Sequence, residues 1–453
     1  MAVAGAASPS RADDWPMHRH DPAHTGATSE TLKLPFKRAW TVKTGAQAII
    51  SSAAVVGNTV YFGTRDKLDA PDAPPQPPQI GGGIGSLYAL DAATGKTRWR
   101  FNQWEGKAIG WVDSSPAVVG DRIYFVARDG HFYCISTAGK PVWRRDTGGL
   151  HGASSPTVVD GRIYVSPGAF KTDFICLRAE NGEILWRTPS EGLPAEGDRP
   201  QKIPQFSYTS PALFGNRIYI AATNGIFYAL NTQSGAIDWK FNTNGIVYYF
   251  SPSLSQGRLY VAGGELDPNL YAVDLNTGNP IWTFTADHTK SFFISSPAAS
   301  NDTVYIGMGV PDQVIYAVNA TTGKERWRFK TGFSTTQGFT SSPSVAGGLI
   351  TVGAGPEHKD AEISGRFFVI DAKTGKPRWS DKLAAPVIAS PAISGHRVFV
   401  GTMDGTMVAY EDATFSAQSP KAKPRTGPTR PKTRKASLTK PPKNGKVAGT
   451  KRR

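Results

Sequence analysis

Cysteine is almost missing: Cys134 and Cys176 are the two in 453 residues, and they are not adjacent. So few exclude a small scaffold stapled by several disulfides. No run of about 18 apolar residues occurs, so no membrane-spanning helix is encoded. Also missing are a Gly-x-Ser-x-Gly elbow, a His-Glu-x-x-His helix and a phosphate-binding loop, which leaves the common hydrolase, metalloprotease and nucleotide chemistries without support. His18, His20 and His24 lie close together, but their spacing fits no standard metal motif. Acidic residues are missing from one region. Residues 417–453 hold 13 of the 51 Lys and Arg and no Asp or Glu, leaving 38 basic against 36 acidic elsewhere. The net charge of +15 therefore belongs to a tail, and the body is close to neutral.

That tail, 413–453, mixes Lys and Arg with Pro, Ser, Thr and Gly, and has little beyond Leu438 and Val447 to bury after Phe415. Such a composition predicts a disordered polycation, with salt-sensitive binding to a polyanion. The polyanion would be lipopolysaccharide or wall polymer outside the cytoplasm, and nucleic acid inside it. The first ten residues are small and lack both a basic n-region and a sufficient apolar h-region. They read as the last part of an export signal. A periplasmic or other extracytoplasmic location is the expectation, with the cytoplasm as the alternative.

What the chain has in abundance is repetition, the feature to seek first. A Ser-Pro or Ser-Ala opening recurs at Ser52, Ser115, Ser155, Ser210, Ser251, Ser296, Ser342 and Ser390. A closing tryptophan follows seven of them, at Trp99, Trp143, Trp186, Trp239, Trp282, Trp327 and Trp379, and the eighth stands upstream of all, at Trp40. Each unit holds four short β-branched or aromatic runs, A to D. The A–B turns are Gly/Asn/Asp pairs and the C–D turns resemble Ala-Thr-Gly-Lys, suited to positive φ. Four-stranded units of this length are propeller blades. The expected fold is all-β: an eight-bladed propeller over 36–412, preceded by an N-terminal extension, 1–35, and followed by the disordered tail. The last unit lacks its own D strand, so the Trp40 segment is predicted to supply it and close the ring. The tryptophans are expected to pack between neighbouring blades, their N–H groups finding partners.

The units Leu87-Tyr-Ala-Leu-Asp91-Ala-Ala-Thr-Gly95-Lys-Thr-Arg-Trp99 and Phe368-Val-Ile-Asp371-Ala-Lys-Thr-Gly375-Lys-Pro-Arg-Trp379 closely resemble the tryptophan-docking repeat of quinoprotein-like propellers. That superfamily includes pyrroloquinoline-quinone (PQQ) dehydrogenases, the propeller lipoprotein of the outer-membrane β-barrel assembly machinery, and repeat proteins without cofactor. The segment Trp15-Pro-Met-His-Arg-His-Asp21-Pro-Ala-His-Thr25-Gly26 is similar to the stretch before blade 1 in such proteins. The resemblance covers about residues 13–412. It implies the fold more firmly than an activity, since sites are grafted on folds. The PQQ enzymes would bring a quinone over a tryptophan floor, in many a ring of adjacent cysteines, and Ca²⁺ held by Glu, Asn and Asp. Here the adjacent cysteines are absent, and Cys134 and Cys176 fall at the Ala position of the Tyr-Ala-Leu motif, which predicts buried strand residues without a disulfide.

Connection lengths locate a working face. The A–B and C–D turns are uniformly short, whereas the B–C connections (66–85, 168–173, 263–268, 309–313, 354–365) and D–A connections (103–113, 187–208) vary. Loops on a rigid scaffold are where binding residues concentrate. Residues just before the openings are predicted to ring the channel mouth: Trp111, Asp113, His151, Phe206, Tyr208, Tyr248, Tyr249, Phe292, Phe293, Gln337 and Phe339. An aromatic funnel with few polar groups suits a ligand or peptide; filling of the axial gap is the alternative. Asp113 is the one carboxylate in this set, where a Ca²⁺ site wants several oxygens. The expectation is a monomeric, non-catalytic scaffold binding a protein, peptide or envelope component through the B–C/D–A face, with no cofactor, metal ligand or catalytic residue assigned. The alternatives are a PQQ- and Ca²⁺-dependent alcohol or sugar dehydrogenase, and polyanion tethering through the tail.

Overall fold

The computed structural model describes residues 14–66, 83–147, 154–166, 173–189, 209–247, 250–287, 293, 295–309, 312–334, 338–356 and 364–413. Eight antiparallel blades stand in a ring. Blade 1 is formed by Ala54–Val56, Thr59–Arg65, Gly85–Asp91 and Thr97–Phe101, and blades 2 to 7 repeat the order. Blade 8 has three consecutive strands, Ala392–Ser394, Arg397–Gly401 and Thr406–Glu411; its outer strand is Lys37–Lys43, with Trp40 opposite Ala409. The closure predicted from the displaced tryptophan is therefore present. Blade 7 gains two short strands, Ala27–Thr28 in parallel and Gly338–Thr340.

The tryptophans join each blade to the next. The indole N–H of Trp40, Trp99, Trp143, Trp186, Trp239, Trp282 and Trp327 donates to a backbone carbonyl of the following blade at 3.0–3.1 Å, the acceptors being Ala92, Thr137, Ala179, Thr232, Leu275, Ala320 and Ala372. The C–D turn glycine of that blade lies flat on the ring. At Gly182, φ is +70° and an added Cβ would sit 2.6 Å from Trp143. Trp379 faces blade 8, which has no C–D turn, and meets Phe36 and Tyr410 edge-on instead. The indoles are half-buried rather than enclosed, because each covers its neighbour with one face only. Trp143→Ala is expected to cost about 2–4 kcal/mol, read as a lower urea midpoint, since it removes a large contact and leaves the Ala179 carbonyl unpaired. Gly182→Ala should act in the same direction through the same contact.

At the inner edge, the opening serines form a belt. Their N–H groups donate to the next opening serine's Oγ at 2.8–3.0 Å, from Ser52 through Ser115, Ser155, Ser210, Ser251 and Ser296 to Ser342, and from Ser390 back to Ser52. Cys134 and Cys176 are buried free thiols on the C strands of blades 2 and 3; burial pushes them up to about 12 and about 11.

The N-terminal arm does something no pattern announced: it winds around the propeller axis. Its backbone takes the N–H of the inner strand of one blade after another. Trp15 pairs with Val55, and the carbonyls of Pro16, Pro22, Ala23, Thr25 and Gly26 accept from Val118, Leu213, Leu254, Ala299 and Val345. His24 reaches Thr157 of blade 3, and the Glu30 carboxylate accepts from Gly395 of blade 8. Each inner edge would otherwise leave its donors unpaired. Arg19, fully buried, gives its two terminal nitrogens to the carbonyls of Pro343 and Pro297. Burial pulls its guanidinium down to about 9, with Asp21 opposing. The axis is thus filled by the chain's own start.

Candidate functional site

With the axis occupied, the connection between blades 1 and 2 is the part of the B–C/D–A end that the described residues define most fully. Strand B of blade 1 ends at Arg65, and Arg128 stands two residues beyond the end of strand B of blade 2, Arg122–Val126. The connection 102–114 begins with a small hairpin, Gln103–Trp104 with Lys107–Ala108, and then crosses both strand ends. Backbone bonds fix the crossing: Val112 donates to Thr64 and Arg128 donates to Trp111. Trp111 is buried, with the guanidinium carbons of Arg65 and Arg128 at 4.6 and 5.6 Å from its ring centroid. Such contacts strengthen where water is excluded.

Asp113 ties the pair together. Its Oδ1 and Oδ2 accept from Arg65 Nε and Nη2 at 2.8 Å each, and Oδ2 lies 2.7 Å from Arg128 Nε. Burial pushes this carboxyl up, but Arg65 and then Arg128 more than offset that and hold it below the usual carboxylate range. Both oxygens are committed to arginines, which leaves Asp113 poorly placed to serve a hard cation. Among the described residues, no group of three or more His, Cys, Asp or Glu stands close enough to hold a metal ion. What remains is an indole flanked by two guanidiniums carrying one excess positive charge, and each arginine side chain is about a quarter exposed.

The other mouth candidates fare differently. Phe293 is fully buried, against Phe284 and Tyr316 between blades 5 and 6, so it fills core rather than the mouth. Phe339 lies on the short strand opposite Gly355 of blade 7. His151, Phe206, Tyr208, Tyr248, Tyr249, Phe292 and Gln337 lie outside the described residues, as do the expectations for the tail beyond 413. The 263–268 connection is a tight turn, with Gly264 paired to Asp267, rather than a loop. Arg65 and Arg128 are not among the predicted mouth residues, yet the sequence carries a signal: seventh from the first residue of strand B, arginine occurs in these two blades alone.

Ring closure, the half-buried indoles and the repeat together define a PQQ-like β-propeller. The family described as outer membrane protein assembly factor BamB matches at residues 83–240, 171–310, 242–354 and 311–419. The chain belongs to this family. It is 25% identical over 316 residues to the outer membrane protein assembly factor BamB of Burkholderia pseudomallei, a match covering 67% of this chain and 75% of that protein. It is also 25% identical over 273 residues to the tetrathionate hydrolase of Acidithiobacillus ferrooxidans, covering 55% of this chain and about half, 52%, of that relative. Among solved structures, the quinohemoprotein alcohol dehydrogenase of Comamonas testosteroni superimposes with a TM-score of 0.66 at 14% identity, covering 88% of this chain and 81% of that one. That likeness shows the fold alone.

Proposed function

We propose that the chain is a non-catalytic scaffold of the extracytoplasmic space, binding a polypeptide partner in outer-membrane protein assembly through its B–C/D–A face. The observation that carries this reading is Trp111 held between Arg65 and Arg128 on that face. Tryptophan and arginine are the residues that most often anchor protein interfaces. The family and the Burkholderia pseudomallei relative, both named for outer membrane protein assembly, support this process, with which an extracytoplasmic location is consistent. The competing reading, a PQQ-dependent alcohol or sugar dehydrogenase, needs a cation site, and the engagement of Asp113 by two arginines argues against one there.

Arg128→Gln leaves the bidentate Arg65–Asp113 pair in place and tests the face. In cells whose own copy is deleted, this variant is expected to restore outer-membrane protein levels several-fold less well than the native chain, at equal abundance. The purified native chain, given PQQ, Ca²⁺ and an alcohol or aldose, is expected to leave an artificial electron-acceptor dye oxidised. Full restoration by Arg128→Gln removes the face from the mechanism, and steady dye reduction establishes the enzyme instead.

A further inference from the structure

A ring of eight similar blades carries its own controls, because equivalent positions can be compared around it. Every blade presents the outer edge of its D strand to solvent, with alternate N–H and C=O groups unpaired. Exposed edges recruit other strands, and proteins guard them with charged side chains, lysine above all. Seven of the eight outer strands are guarded in this way, each by at least one Arg or Lys. Several of the guards are fixed by ion pairs, such as Arg98 with Asp91, Arg326 with Asp302 and Arg378 with Asp371.

Blade 5 is the exception. Its outer strand, Pro280–Thr285, reads Pro-Ile-Trp-Thr-Phe-Thr and has no charged residue. Counted from the tryptophan, Ile281 stands where blades 1, 6 and 7 have Arg98, Arg326 and Arg378, and Thr283 where blades 1, 2, 3 and 6 have Arg100, Arg144, Arg187 and Arg328. Ile281 is 43% exposed, and Thr283 and Thr285 are exposed beside it. The same blade lifts Leu266, 78% exposed with φ +74°, at its B–C turn.

We infer that the outer edge of blade 5 accepts an extended, uncharged polypeptide segment as a fifth strand. This rests on the reading that the propeller binds polypeptide, and it names the form that polypeptide takes. Main-chain bonds would supply affinity, and the side chains facing Ile281 and Thr283 would supply selectivity. The edge offers a charged segment no counter-charge in exchange for lost hydration, whereas β-branched neutral residues pair well across strands with isoleucine and threonine. The guarded edges of blades 4 and 6 confine the site to one blade.

The probe is an acetylated, fluorescein-labelled Thr-Val-Thr-Val-Thr-Val peptide, tested against the full chain by anisotropy and by amide exchange. The native chain is expected to bind it and to gain protection at 280–285. Ile281→Arg/Thr283→Arg copies residues that other blades already carry, so its melting midpoint should match the native one while affinity falls by about tenfold or more. Methylating alternate backbone nitrogens of the peptide should cause a similar loss on the unaltered protein. Equal binding by the variant or by the methylated peptide, protection at another blade, or no binding at millimolar peptide overturns the proposal. So does self-association that the double substitution abolishes, since the occupant is then a second copy. Arg128→Gln is expected to leave peptide binding intact; peptide binding that persists when the loop-face prediction fails, or the reverse, shows which of the two readings is wrong.

Discussion

A chain lacking residues 36–45 is expected to lose its cooperative unfolding transition altogether. Those residues supply the outer strand of blade 8, where six pairs, from Lys37 with Glu411 to Lys43 with Thr406, complete the sheet. They also hold the ring's seam on both sides. Trp40 donates to Ala92 of blade 1 and lies on Gly95, while Phe36 covers Trp379 of blade 7 and Arg38 bonds the Lys382 carbonyl and pairs with Asp381. In a repeat protein each unit is stabilised through its neighbours, so an unclosed ring weakens blades 7 and 1 along with blade 8. Losing a half-buried indole contact costs about 2–4 kcal/mol. Adding the strand pairing brings the loss to the order of the whole stability of a typical protein, about 5–15 kcal/mol. Circular dichroism against urea should show a broad, non-cooperative decay, and a synthetic peptide spanning 35–46 should restore a sharp transition. A deletion variant that still melts cooperatively near the native midpoint would mean the seam is dispensable.

That seam was legible because it is written in the repeat. Eight openings against seven following tryptophans leave one strand to be found, and Trp40 sits in the local context of Trp327. Glycine and indole positions were legible for the same reason, being periodic. The path of the arm was not. Its bonds to the blades differ in number and kind from one blade to the next, so residues 14–30 carry no period of their own, and several adopt conformations that local preference disfavours: Arg19, His20 and His24 all have positive φ. The mouth is less legible for a different reason. Neighbouring residues in extended chain point to opposite sides, a distinction that proximity to a blade opening does not draw. Phe293 turns into the core, where Phe284 and Tyr316 receive it. The arginines beside Trp111 stand 48 residues before and 15 residues after Asp113, so no local sequence pattern joins the three.

The arm makes the propeller sensitive to mild acid. His18 and His24 are buried in the axis, their rings edge-to-face with centroids 5.2 Å apart. Burial holds both neutral. It depresses His18 well below its ordinary value, with His24 and Arg19 adding to the effect, and it takes His24 down to about 3, against a partial counter-effect from Asp21. A histidine with a lowered folded value binds its proton more readily in the unfolded chain. Its contribution to stability is therefore complete above about pH 6.5 and declines as pH falls from there toward the folded value. With a folded value of about 3, His24 is expected to remove about 2–3 kcal/mol between pH 7 and pH 4.5, and His18 acts in the same direction. Carboxylates held low, such as Asp113, Asp91 and Asp371, lose their contribution only below about pH 4. The window between 6.5 and 4.5 thus reports on the arm. Urea midpoints measured across it should fall steeply for the native chain and much less for His18→Asn/His24→Gln, whose side chains have no proton to gain. Parallel slopes for the two proteins would show that the axial histidines are already charged in the folded state.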